Sequence, residues 1–245
     1  MTAAGLVVHC LQHLLPVRHA ERPGRGYFFL GLVMPREPSC KRTTAFFDGQ
    51  NLYHAARESF GYTHPNYDAP ALAAAVCTRQ RWDLTEVRFY TGIPDRADNS
   101  FWNGFWGNKL RAMSWKKVHV YSRPLRYRNA RVKLPDGTEH TYLAGEEKGI
   151  DVRIALDVIR MAHRDAFDVA LLFSQDQDLS EVADEIRTIS CEQNRWIKVA
   201  SAFPSSPTGI NRRGIERTDW IRIDRDMYDA CLDRRDYRPK TASDT

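Results

Sequence analysis

Five cysteines in 245 residues, odd in number and widely spaced (Cys10, Cys40, Cys77, Cys191 and Cys231), leave no C-x-x-C pair in the chain. That excludes a disulfide framework and a cysteine zinc site, and reads as the reduced thiols of a cytoplasmic protein. The eight histidines form no H-E-x-x-H pattern, so the zinc-protease type of histidine site has no support either. No apolar run approaches the ~18 residues of a membrane helix, and no membrane partner is expected. Positive charge is missing ahead of Arg18, where a secretory leader would carry it before its apolar core. There are no internal repeats and no low-complexity tracts. The most informative gap is local: from Asn99 to Pro135 there is no Asp or Glu.

That acid-free stretch is rich in Lys and Arg, and the sign then reverses. From Asp136 to Glu185, 13 acids face only Lys148, Arg153, Arg160 and Arg164. With a net charge of +5 and a pI near 9.0, a basic block beside an acidic block suits a polyanion held at one and processed at the other. The plainer alternative is two solvated faces of opposite sign. The length allows one α/β domain with appendages. Residues 1–40, broken by Pro16, Pro23 and Gly24, are expected to form a poorly ordered extension, with Met34 as a plausible internal start. Residues 41–237 form the domain, and 238–245 are expected to be a disordered tail.

Within the domain, strands and helices alternate. Thr43–Phe47 and Val169–Phe173 are apolar runs of buried parallel type, and Val87–Thr91 and Trp196–Ala200 are further strands. Gln50–Phe60, Ala69–Arg79, Gly149–His163 and the stripe from Leu179 to Ile189 read as helices. A hairpin is expected around Pro135-Asp136-Gly137. Strands alternating with helices give a largely parallel sheet.

Aspartates stand where such strands give way to helices. Asp48 follows Thr-Ala-Phe-Phe, Asp176 and Asp178 follow Ala-Leu-Leu-Phe-Ser174, and Asp151 falls in the first turn of a helix after Lys148-Gly149-Ile150. Each has a structural explanation. Asp48 could cap a helix, Asp178 with Glu181 fits a capping box, and Asp151 favours a helix dipole. Taken together they exceed what capping needs. The carboxyl ends of parallel strands share one edge, where ligands bind. Carboxylates converging there repel one another and persist by binding a hard cation such as Mg²⁺.

Three stretches carry a resemblance: Phe47-Asp48-Gly49-Gln50-Asn51-Leu52, Lys148-Gly149-Ile150-Asp151-Val152 and Ser174-Gln175-Asp176-Gln177-Asp178-Leu179. In order and spacing they resemble the three motifs of the NYN domain, a branch of the PIN-like nucleases, over roughly Thr43 to Ile223. The resemblance implies a Rossmann-like three-layer α/β/α fold with a mostly parallel sheet, and a metal-dependent ribonuclease using Mg²⁺ or Mn²⁺. Asp48, Asp151 and Asp176 would form the metal-binding core, joined by Asp178 directly or through water. Asn51 would orient a water or a phosphate oxygen, and Ser174 would brace the loop. Gln175 stands where the family usually has Gly, and Leu179 where it often has an aromatic. Glu147 is an outside candidate that would share the face of Asp151 if that helix began early. Asp157 is expected to pair with Arg153 or Arg160 on the solvent side, with an outer ligand role as the lesser alternative.

The expected partner is RNA, single-stranded or structured. Arg123, Arg126, Arg128, Arg131 and Lys133 interleave with Tyr127 on the hairpin, an inserted basic ribbon expected beside the acidic edge. The basic side chains would bind phosphates and Tyr127 would stack on a base. Lys148 would meet a carboxylate or a phosphate. Arg212, Arg213 and Arg217 offer a second basic rim. Phe101, Trp102, Phe105 and Trp106 recur at helical spacing and are expected to pack in the core. Rival readings are a non-catalytic RNA-binding scaffold, a DNA-cutting nuclease of the same fold, and an α/β phosphatase, which Gln50 disfavours by standing where its general acid would be. The oligomeric state stays open, a homo-oligomer included.

Overall fold

The computed structural model describes residues 35–239 except 136, 208 and 210. The expected N-terminal extension and tail fall mostly outside the described residues. The central strand is β1 (Arg42–Asp48), followed by α1 (Gly49–Phe60), α2 (Ala69–Gln80), β2 (Asp83–Ile93), α3 (Ser100–Trp115) and β3 (His119–Pro124). A hairpin of β4 (Arg126–Lys133) and β5 (Glu139–Glu146) comes next, then α4 (Ile150–His163) and β6 (Val169–Phe173). The chain ends through α5 (Ser180–Glu192), β7 (Lys198–Pro204), β8 (Asp219–Ile223) and α6 (Arg225–Ala230). Six strands form one sheet in the order β3-β2-β1-β6-β7-β8, parallel throughout. This is the three-layer α/β/α, PIN-like arrangement with an inserted hairpin. Among the described residues no helix is long and apolar enough to cross a membrane.

β1 and β6 are buried almost throughout because helices cover both faces of the sheet. On one face Phe47 stacks on Phe173 at 3.9 Å and packs with Leu52, Leu72 and Phe105 from α1, α2 and α3. On the other, Phe46 and Leu172 pack with Ile154 and Val158 of α4 and Val182 of α5. The chain leaves β1 outward to β2 and β3, then crosses back to β6 on the other side of β1. The switch point therefore lies between β1 and β6, where an open α/β sheet leaves a crevice at its carboxyl edge.

Four expectations need correction. Lys109, counted in the basic block, is fully buried. Its Nζ donates to the Tyr67 carbonyl at 2.8 Å and lies 4.9 Å from the Tyr237 ring, and burial pushes its pKa down to about 8. Asp178 does not cap α5, whose N-cap is Leu179 without a side-chain bond, because Asp176 instead caps a short 3-10 turn over Gln177–Leu179. The strand expected at Trp196–Ala200 runs from Lys198 to Pro204, where its register with β6 begins at Val169 opposite Lys198. The aromatic quartet is split. Phe105 and Trp106 are buried, whereas Trp102 is half-buried and Phe101 is 45 % exposed.

Candidate metal centre and nucleic-acid interface

Asp48 closes β1 and opens α1. Its extended backbone lets one carboxylate oxygen accept from the Asn51 N–H at 3.0 Å, so the capping explanation is true of it. Its other oxygen accepts from Ser174 Oγ at 3.3 Å, across the switch point. Ser174 also accepts from the Asp176 N–H at 3.1 Å, and Asn51 Oδ1 accepts from the Gln175 N–H at 2.8 Å. The ends of β1 and β6 are thus laced together by the residues that the sequence singled out. Asp48 is only 5 % exposed. Burial, opposed by the Asn51 N–H and increased by the charges of Asp176 and Asp151, pushes its carboxyl up to about 6.

Asp151 sits in the first turn of α4, and Asp176 caps the turn after β6 through the Asp178 N–H at 3.1 Å. Asp178 itself is exposed, at the margin of the group. Glu147 joins from an unexpected direction. Because α4 begins only at Ile150, behind Gly149 at φ +76°, Glu147 is not on the helix face of Asp151. It turns back instead to accept from the Gly92 N–H at the end of β2. Burial and the charges of Asp48 and Asp151 push its carboxyl up to about 7. No motif marks it; only its nearness in sequence to Asp151 pointed to it. Among the described residues no three His, Cys, Asp or Glu side chains stand close enough to form a ready-made metal cage. The donor set is nonetheless all hard oxygen, and two of its members already carry the repulsion of their neighbours.

Asp157 is not on the solvent side. It is 1 % exposed beneath α4, accepting from Arg153 at 3.1 Å, Arg160 at 2.8 Å, Arg88 at 3.3 Å and the Tyr90 hydroxyl at 3.0 Å. Pairing with Arg153 and Arg160 occurs as expected, but these donors leave it no outer ligand role.

Nothing in the sequence marks the anchoring part that Gln175 and Gln177 play. Gln175, 7 % exposed, donates to the Arg213 carbonyl at 2.7 Å. Gln177 donates to the Gly214 carbonyl at 3.1 Å and accepts from the Glu216 N–H at 3.0 Å. Two amides therefore fasten the segment carrying Arg212 and Arg213 to the acidic loop. Arg217 is engaged elsewhere, with Asp184. The departure from Gly at position 175 is what lets a side chain reach this segment.

The hairpin leaves the carboxyl end of β3 and returns just before Glu147, so it is rooted at the acidic edge. Its face carrying Arg126 and Arg128 is exposed, as are Arg131 and Lys133 on the other face. Arg128 pairs with Glu146, and Arg131 lies 3.7 Å from Glu139. Arg123 lies against Gly149, where a Cβ would come within 2.9 Å of its guanidinium. Lys148 is exposed and makes no ion pair among the described residues. Tyr127 is half-buried, its hydroxyl accepting from the Asp95 N–H at 2.8 Å and donating to Asp98 at 3.1 Å. It braces the hairpin against the β2–α3 loop.

No curated protein matches the chain. Among solved structures, a protein of unknown function from Vibrio parahaemolyticus RIMD 2210633 is 20 % identical with a TM-score of 0.44, over 76 % of this chain and 94 % of that one. Acinetobacter baumannii MurG gives 10 % and 0.30 over 74 % and 45 % of the two chains. A deacetylase from the biosynthesis pathway of teicoplanin, solved in complex with it, gives 18 % and 0.28 over 64 % and 68 %. At TM-scores under 0.5 none of these likenesses bears on function. The NYN domain matches residues 42–206, more than half of the chain, and the chain therefore belongs to the NYN domain family, a branch of the PIN-like nucleases.

Proposed function

We propose that this protein is a metal-dependent ribonuclease that hydrolyses RNA phosphodiester bonds at the carboxylates of the β1–β6 switch point. The observation that carries the reading is Asp48, buried and facing the charges of Asp176 and Asp151 with no basic partner among the described residues. A fold gains nothing by holding acids this way, whereas a nuclease needs them. Asp48, Asp151 and Asp176 would hold Mg²⁺ or Mn²⁺, with Asp178 reaching it through water. An open set of a few carboxylates, completed by water and substrate phosphate, is how Mg²⁺ is usually held. Such an ion, when bound, supplies a water of lowered pKa and stabilises charge developing on phosphate. Ser174 fixes the carboxylate of Asp48. Asn51, its oxygen committed to Gln175, presents its amide N–H groups as donors to water or to a phosphate oxygen. Arg123 and Lys148, beside the start of α4, would meet the phosphates nearest the cut, and Arg126, Arg128, Arg131 and Lys133 those further along the hairpin.

The test is cleavage of labelled single-stranded RNA and matched DNA in Mn²⁺, Mg²⁺ or chelator, with Asp176→Asn beside wild type. RNA cutting that needs metal and falls by orders of magnitude in Asp176→Asn supports the reading. Cutting of DNA alone would make it a deoxyribonuclease, and tight RNA binding without cutting in either metal would leave a binding scaffold.

A further inference from the structure

The sequence places the aromatics of α3 in the core, and the structure leaves one of them outside. The Tyr127 hydroxyl is bound to the β2–α3 loop, and Phe101 projects from the first turn of α3. Phe101 packs edge-on against Trp102, ring centroids 5.4 Å apart. Together they wall a groove of about 460 Å³ whose opposite side is the C-terminal segment around Arg234 and Arg235. The first turn of α3, which walls it, follows the carboxyl end of β2, at the edge where the parallel strands all end. α1 starts directly after Asp48, and Tyr53, two residues beyond Asn51, lies with its ring 6.4 Å from Trp102. The loop just ahead of Phe101 is the one that Tyr127 ties to the hairpin.

The charges around the groove select an anion. Its two acids are already satisfied: Asp233 accepts from the Tyr237 hydroxyl at 2.5 Å and the Arg235 N–H at 3.1 Å, and Asp236 pairs with Arg238. The guanidinium groups of Arg234 and Arg235, both exposed, make no hydrogen bond or ion pair among the described residues. An apolar peptide would use the rings but leave both cations unmatched. A strand with a π-face and a phosphate at each step uses both. Resting on the nuclease reading above, we infer that this groove is a base-stacking subsite for single-stranded RNA. A base lies on Phe101, its flanking phosphates meet Arg234 and Arg235, and the strand continues over the acidic edge to the hairpin.

Anisotropy of a fluorescein-labelled 16-nucleotide single-stranded RNA, in chelator so that nothing is cut, tests the subsite. Phe101→Ala should weaken binding about 5- to 100-fold, as loss of one stacked base does, and Phe101→Tyr should bind within about twofold of wild type. Arg234→Gln with Arg235→Gln should lower the slope of log K against log salt by about 1.4, at ~0.7 per phosphate on a single strand. Because Phe101 is half exposed, its variants should melt within a few degrees of wild type. If Phe101→Ala binds like wild type while Arg126→Gln, Arg128→Gln and Arg131→Gln together weaken binding, the subsite falls and the nuclease reading stands. Equal losses in Phe101→Ala and Phe101→Tyr would also overturn it, by showing that the ring only positions α3. Wild type that neither binds nor cuts RNA would remove the nuclease reading, and the subsite with it.

Discussion

At the level of single residues, burial decides which acids are free to act. Asp157 on α4 and Asp48 at the end of β1 are both buried, yet their surroundings are opposite. Asp157 has three guanidinium groups and a phenol directed at it. Despite its burial their hydrogen bonds hold its carboxyl below the usual range. Asp48 has one N–H, one hydroxyl and two like charges. We therefore expect Asp157→Asn to destabilise the protein by up to about 3 kcal/mol, because buried Arg88 would keep only Glu86 at the surface as counter-charge, and Arg153 and Arg160 would lose theirs. Urea denaturation measures this. Since the folded pKa of Asp157 is depressed, its contribution is complete at neutral pH and lost as pH falls through the acid range, so the gap between wild type and variant should narrow below pH 4. A gap that stays constant down to pH 3 would mean that packing, not charge, is what Asp157 supplies. Its pairing with Arg153 and Arg160 was legible from helical spacing. Its burial was not, because Arg88 and Tyr90 come from β2, and sequence spacing along α4 says nothing of which strand the helix lies over.

Among the elements, strands and helices were read from periodicity to within a few residues, and the errors fell where tertiary contacts overrule local pattern. Asp178 and Glu181 satisfy the spacing of a capping box, but the chain makes an extra 3-10 turn and Asp176 takes the capping part. Helical spacing put all four aromatics of α3 in the core, yet the first turn of that helix overhangs the sheet edge and leaves Phe101 outside. Likewise Gln175 was noted only as a departure from glycine, since its partners, the carbonyls of Asn211 and Arg213, lie 36 and 38 residues away. Those bonds lead to an expected outcome. Gln175→Ala frees the Arg213 carbonyl and one anchor of the segment, a loss of about 1–2 kcal/mol that is mostly local. Trypsin should then cut after Arg212 or Arg213 several-fold faster than in wild type, while the melting temperature moves only a few degrees. Unchanged cutting would show that the bonds to Gln177 and Glu58 hold the segment without Gln175.

For the whole molecule, the site follows from topology. Asp48 and Asp176 are 128 residues apart in sequence and meet because β1 and β6 are neighbours at the reversal of strand order. The convergence was legible from the rule that parallel strands end at one edge. The entry of Glu147 was not, since it depends on the turn at Gly149. The same topology concentrates negative charge in a chain of net charge +5, and this makes the proposed metal site visible in stability as well as in activity. Burial and like charge raise the folded pKa of Asp48 to about 6, so its ionisation disfavours the fold as pH rises through that value. Without metal at pH 8, Asp48→Asn should therefore melt above wild type, by on the order of 1–3 kcal/mol, and the advantage should vanish by pH 4. Mg²⁺ at 100 times its dissociation constant should reverse the order. It would stabilise wild type by about 2.7 kcal/mol, roughly 5–10 °C, and leave Asp48→Asn unmoved. Thermal melts of the two proteins at pH 8, with chelator and with Mg²⁺, give all four values. If Asp48→Asn melts lower without metal and Mg²⁺ shifts neither protein, Asp48 is a helix cap and no more. The crossing of the two pairs is what a carboxylate kept for a cation requires, because the charge that costs stability in the empty site is the charge that the ion needs.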